Sequence, residues 1–197
     1  MQIPPISPNG YHHGGNPPNI KNHLREIMEE ARSFNDSEDI SKREKELSFY
    51  ALEVENIEEL IRTQKVKNPQ EYSVFRVMHC SRLTSMKGVS LFVNLRELNL
   101  SSNGLLSTSF LDGIKHIEVL NLSCNKLSQI GQNLVHFATT LRKLILSHNR
   151  LVSIQPLQIQ SGYNPALEYL DLNDNYIGEL DQIKFLQGYK NLRELIF

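Results

Sequence analysis

Leu95-Arg96-Glu97-Leu98-Asn99-Leu100-Ser101-Ser102-Asn103-Gly104-Leu105 decides the fold, because the chain writes this pattern again and again. Ile117, Leu120, Leu122, Asn125 and Leu127 repeat its apolar and asparagine positions. Leu141, Leu144, Leu146, Asn149 and Leu151 do so next, then Leu167, Leu170, Leu172, Asn175 and Ile177. Leu192, Leu195 and Phe197 open a further copy. Upstream, Tyr72, Phe75, Val77 and Cys80, with Leu83 beyond, form a variant in which cysteine takes the asparagine position. Phe75, Leu98, Leu120, Leu144, Leu170 and Leu195 are successive equivalents, 23, 22, 24, 26 and 25 residues apart.

The two-residue alternation at each Leu-x-Leu step predicts a short strand with its leucines on one face. One such strand cannot hide its leucines alone, but stacked copies form a parallel sheet over a continuous core. The asparagine follows the strand, where the backbone turns and leaves polar groups to be satisfied. Its amide offers two donors and an acceptor, so Asn103, Asn125, Asn149 and Asn175 are expected to stack as a ladder, with Cys80 in the same slot at one end. The pattern matches the leucine-rich repeat, L-x-x-L-x-L-x-x-N/C-x-L, and lies within its range of periods. The fold class it implies is α/β: a leucine-rich repeat solenoid, a right-handed horseshoe with a concave parallel sheet. Short repeats leave room for helical turns on the back, longer ones in the 24–26-residue repeats. In the repeat of Leu105, Thr108 breaks the apolar beat that follows each asparagine.

Working outward, Ser41-Lys42-Arg43-Glu44 fits a capping box, and Leu47, Tyr50, Val54, Ile57 and Ile61 recur in steps of three and four. This predicts a helix over 41–66, closed by Pro69, that packs on the repeats as their N-terminal cap. Ile20, Leu24, Ile27, Met28, Ala31 and Phe34 predict a shorter helix before it. Residues 1–19, rich in Pro, Gly and Asn, read as a disordered tail in which His12 and His13 are merely solvated. The expected organisation is a tail at 1–19, a helical extension and cap at 20–70, and a repeat domain at 71–197. At the other end, Phe197 stops in mid-strand. The expectation there is either a fragment or an edge that something else covers.

Composition narrows the function. The chain of 197 residues carries 21 Lys plus Arg against 22 Asp plus Glu, a net charge of −1, so no basic excess exists for a phosphate backbone and no nucleic-acid partner is expected. No apolar run approaches the length of a membrane span. The first twenty residues hold no charged side chain and five prolines, unlike a secretory signal. Two cysteines make no disulfide framework, and a cytoplasmic location is expected, in which the Asn-x-Ser matches at Asn35, Asn99 and Asn121 carry no meaning. No phosphate-cradling glycine loop or Cys-x-x-Cys pair occurs, so neither cofactor nor metal is expected.

Function is sought where the strands face solvent. Alternate residues line up across the repeats as Val74, Glu97, Val119, Lys143, Tyr169 and Glu194. A second row reads Arg76, Asn99, Asn121, Ile145, Asp171 and Ile196. Val119, Ile145 and Tyr169 form an apolar centre, and Glu97, Asn99, Asn121, Lys143 and Asp171 ring it. An apolar centre with a polar rim and a tyrosine suits a protein interface. The residues before the ladder include Cys124, His148 and Asp174, which adjacent strands would align as nucleophile, base and orienter. Nothing in the sequence supplies an oxyanion hole, so no catalysis is expected.

Residues 72–197 resemble the intracellular short-repeat class found in phosphatase-one regulatory subunits, the axonemal dynein light chain and ciliary or centrosomal scaffolds. Met86-Lys87-Gly88-Val89 looks like the I-x-G-L beat of that class. The run Leu95–Asn103, Ile117–Leu127 and Leu141–Leu151, with a longer gap to Leu167–Ile177, is similar to the leucine-rich repeat and coiled-coil centrosomal family. The resemblance implies a non-catalytic scaffold, a monomer or a subunit of a larger complex, that binds a protein partner on the concave face in a cytoskeletal, ciliary or centrosomal assembly. Its alternative is a regulatory subunit that directs an enzyme such as a phosphatase.

Overall fold

Each Leu-x-Leu step becomes a strand because its neighbours supply the partners that it cannot supply itself. In the computed structural model, which describes residues 45–159, 165–178 and 180–197, seven strands form one parallel sheet in chain order. They are β1 (Glu46–Tyr50), β2 (Val74–Met78), β3 (Glu97–Asn99), β4 (Val119–Asn121), β5 (Lys143–Ile145), β6 (Tyr169–Asp171) and β7 (Glu194–Ile196). The register sets Phe75, Leu98, Leu120, Leu144, Leu170 and Leu195 rung against rung. The first five are sealed from water. Burial of each such side chain is worth roughly 1.5–3 kcal/mol, which outweighs the poor intrinsic stability of three-residue strands.

The asparagine ladder forms as expected. Asn125 Nδ2 donates to the Leu100 and Leu122 carbonyls at 2.9 and 3.0 Å, and its Oδ1 accepts from Leu105 N–H at 3.0 Å. Asn149 and Asn175 repeat the set one coil later each. At the first rung, Asn103 Oδ1 accepts instead from Cys80 N–H at 2.8 Å. Cys80 continues the ladder with sulfur, its Sγ accepting from Leu52 N–H at 3.2 Å. Burial pushes the Cys80 thiol above its usual pKa, so the neutral form is kept.

The back of the coils is made of 3-10 turns at Pro69–Glu71, Val89–Leu91, Gln132–Phe137, Gln155–Leu157 and Leu180–Leu186. Thr108 is buried there because it is paired: its Oγ1 accepts from Gly131 N–H at 2.9 Å and its carbonyl from Asn133 Nδ2 at 2.9 Å.

The expected helical cap is corrected. Residues 46–66 hold strand β1 and a short helix α1 (Ile57–Thr63), not one helix. Leu47 and Phe49 alternate about Ser48 and sit in register with Phe75 and Val77. The Phe49 ring meets Phe75 edge-on at 6.5 Å. An open sheet edge with an apolar rung beneath it outbids a three-and-four periodicity that ran only by coincidence through Tyr50, which ends up exposed. These residues therefore belong to the sheet of 71–197 and not to a separate extension. Helix α1 starts at Asn56, whose Oδ1 accepts from Glu59 N–H at 2.9 Å. It docks against Gly88, at φ 97°, where an added Cβ would lie 2.6 Å from Glu58 N. The tail at 1–19, the His12–His13 pair, the helical pattern Ile20–Phe34 and the Ser41–Glu44 capping box lie outside the described residues.

Candidate functional site

The strand residues between the buried leucines form the open face of the sheet. All eight candidates stand on it, on β3 to β6, and all are half-buried. They do not share one chemical state. Glu97 is committed to Arg76, whose Nε donates at 2.9 Å and whose Nη2 lies at 2.8 Å. Arg76 also pairs with Glu46 on β1. Partial burial works against the guanidinium charge, but Glu97 and then Glu46 outweigh it and hold its pKa above the ordinary arginine value.

Asn99, Asn121 and Asp171 share a local task. The side-chain oxygen of each accepts the backbone N–H two residues on, from Ser101, Ser123 and Asn173, at 3.0 Å each. This Asx turn steers the backbone out of the strand toward the ladder. Ile145 stands in the same row without such a bond, its side chain aliphatic, beside Asn121 and Asp171 in the register. Val119 pairs with Lys143, and Lys143 with Tyr169. The Lys143 ammonium lies 4.3 Å from the Tyr169 ring centroid. Desolvation, then the Asp171 and Glu194 carboxylates, push the Tyr169 phenol above its usual pKa. Thus Val119, Lys143, Ile145 and Tyr169 come together with Asp171, and Glu97 is drawn away toward Arg76. Sequence reading passed over Glu46 and Tyr50 because β1 was hidden under a helical period.

His79, Ser102, Cys124, His148 and Asp174, the residues before the ladder, all take positive φ between 51° and 57°. This column turns the chain from strand to ladder, and short polar side chains tolerate it best. His148 Nδ1 meets Asp174 Oδ2 at 3.0 Å, yet both side chains are more than half exposed, and Cys124 is an exposed free thiol. The arrangement is open to water. Among the described residues, no group of three or more His, Cys, Asp or Glu is placed to hold a metal ion, and no helix is long and apolar enough to cross a membrane.

Two family profiles match the chain: "Leucine rich repeat" over residues 93–151 and "Leucine Rich repeats (2 copies)" over 139–188. Over 90 residues the chain is 38% identical to the tubulin-specific chaperone E of Bos taurus, covering 43% of this chain and 17% of that protein. Over 102 residues it is 28% identical to the U2 small nuclear ribonucleoprotein A' of Arabidopsis thaliana, covering 51% of this chain and 41% of the relative. The matched region spans less than half the length of either relative.

Proposed function

We propose, from the premise that this chain is a leucine-rich repeat protein of the short-repeat class, that it is a non-catalytic scaffold whose sheet face binds a protein partner. The observation that carries this reading is the patch of Val119, Lys143, Ile145 and Tyr169. It joins the apolar Val119 and Ile145 to the Tyr169 ring, with Asn121 and Asp171 beside Ile145 and the Lys143 ammonium over the ring. The partner belongs to a cytoskeletal, ciliary or centrosomal assembly in the cytoplasm. The name of the tubulin-specific chaperone among the relatives supports that direction. The near-neutral charge favours a protein over a nucleic acid as partner.

Affinity capture from a cell extract tests this, with the wild-type chain beside Tyr169→Ala and Ile145→Asp. Both variants lose the captured protein at unchanged thermal stability, since both side chains lie on the face and not in the core. Retention of every partner by both variants sinks the reading. Recovery of a phosphatase catalytic subunit by the wild-type chain alone would favour the regulatory-subunit alternative.

A further inference from the structure

Beyond the turn that ends each strand, one residue stands between the ladder position and the apolar residue that follows it: Lys126, then Arg150, then Tyr176. Their backbones are stacked. Lys126 N–H donates to the Leu105 carbonyl at 2.9 Å, Arg150 N–H to Leu127 at 2.8 Å and Tyr176 N–H to Leu151 at 2.8 Å. The three therefore form a row on the ladder edge, and all three are exposed, Tyr176 at 68%. Arg96 and Arg142 pair with glutamates, but Lys126 and Arg150 make no ion pair among the described residues. Asp174, two residues before Tyr176, is turned to His148 Nδ1 at 3.0 Å. Arg150 and Val152 flank the buried Leu151, and Val152 is 57% exposed. The equivalents of Val152 in the neighbouring coils are small: Ser128, and Gly178, where a Cβ would meet nothing within 4 Å. The edge thus carries two free cations side by side, then an exposed ring and an exposed aliphatic side chain, with open space alongside.

We infer that this edge is a second docking site, distinct from the sheet face, for an acidic helix of a partner protein. Charge complementarity names the partner's side chains: two carboxylates for Lys126 and Arg150, and an apolar residue for Tyr176 and Val152. Spacing names its backbone. Neighbouring coils lie about 4.8 Å apart, whereas same-side residues of an extended segment lie about 6.6–6.8 Å apart and fall out of step within two coils. Helix residues three and four apart advance by about 4.5 and 6 Å, which brackets the coil spacing. The helix is therefore acidic at i and i+4 and apolar at i+7, and it lies along the stack with its apolar side chain beside the open Gly178. Arginine and tyrosine are side chains that concentrate binding energy at interfaces. A nucleic acid is the poorer occupant, because the row holds two cations only and Asp174 stands beside it.

The test uses the 197-residue chain and a fluorescent, alanine-based helical peptide of about 18 residues with Glu at i and i+4 and Leu at i+7, read by anisotropy. The peptide binds. Lys126→Glu and Arg150→Glu each weaken binding about tenfold, and Tyr176→Ser about fivefold. All three side chains are exposed, so the melting temperature stays unchanged. A peptide with Lys in place of both Glu residues does not bind the wild-type chain but binds the chain that carries Lys126→Glu and Arg150→Glu together, a rescue that non-specific adhesion does not produce. Ile145→Asp leaves binding of the original peptide intact, which separates this edge from the sheet face. No binding by the folded wild-type chain, equal binding of the Glu and Lys peptides, absence of rescue, or loss of binding in Ile145→Asp overturns the inference. So does displacement by an RNA oligonucleotide at a lower concentration than the unlabelled peptide, which would make the edge a nucleic-acid site. Equal binding of a peptide of the same charge pattern broken by a central proline overturns the helix.

Discussion

The N-terminal and C-terminal halves of the sheet solve the same stacking problem with different chemistry. Beneath β1 to β3 the core is aromatic: Phe75 stacks on Phe92 at 4.2 Å and meets Phe49 edge-on. Its ladder slot is a thiol, and its open face is closed by Arg76 between Glu46 and Glu97. Beneath β4 to β6 the core is leucine, the ladder is amide, and the face carries Val119, Lys143, Ile145 and Tyr169. The first half spends its polar groups on itself. The second satisfies its interior through the ladder, and its face is the one proposed above to bind a partner. A surface ion pair contributes little stability, so the value of Arg76 lies in keeping that half of the face occupied.

The sharpest way to break this contrast is at the aromatic rung. Phe75→Ala is expected to cost about 3–5 kcal/mol, because the rigid Phe92 ring cannot collapse into the gap. A urea titration that finds less than Leu144→Ala would remove the distinction between the two cores. Next comes the amide ladder. Asn149→Ala strands the buried Leu127 N–H and removes one of the two amide donors at each of the Leu122 and Leu146 carbonyls, and is expected to cost about 1–3 kcal/mol by the same titration.

A pH-dependent tie marks the C-terminal half. The Tyr189 hydroxyl donates to the Leu157 carbonyl, and burial pushes its pKa to about 12. The folded state favours the neutral phenol, whereas the unfolded chain ionises it near pH 10. Its stabilisation is therefore complete below about pH 10 and is lost as pH rises toward 12. Tyr189→Phe should flatten the fall in melting temperature across that window; an unchanged slope would remove Tyr189 from the account. The smallest effect is at the self-satisfied face. Arg76→Ala is expected to change stability by about 1 kcal/mol or less and to leave partner capture intact, while Lys143→Glu reduces capture. Equal loss in both would show that the binding surface runs the length of the sheet.

Much of this was legible in the residues. The Leu-x-Leu-x-x-Asn pattern located β3 to β7, the inward leucines and every asparagine rung, because a period of two and a fixed turn residue leave a local signature. The first coil was not legible. Leu47, Tyr50, Val54, Ile57 and Ile61 spell a helix when read alone, and only the neighbouring Phe75 and Val77 make Leu47 and Phe49 a strand. An Asn56-x-x-Glu59 start for α1 was present as a signal and was eclipsed by Ser41-x-x-Glu44. On the face, the row positions of all eight candidates followed from alternation. That Glu97 would turn to Arg76, and that Asn99 and Asn121 would bind their own backbone, did not follow, since side-chain partners are chosen in three dimensions.

Sequence by itself determined the repeat, its spacing, the inward and outward sides of each strand and the ladder, because each is a periodic demand for burial or hydrogen bonding that every copy states locally. Tertiary structure alone decided that Glu46–Tyr50 joins the sheet as a strand and which face residues are already spoken for. Those outcomes depend on what lies one coil away, about 4.8 Å across the sheet but more than twenty residues along the chain.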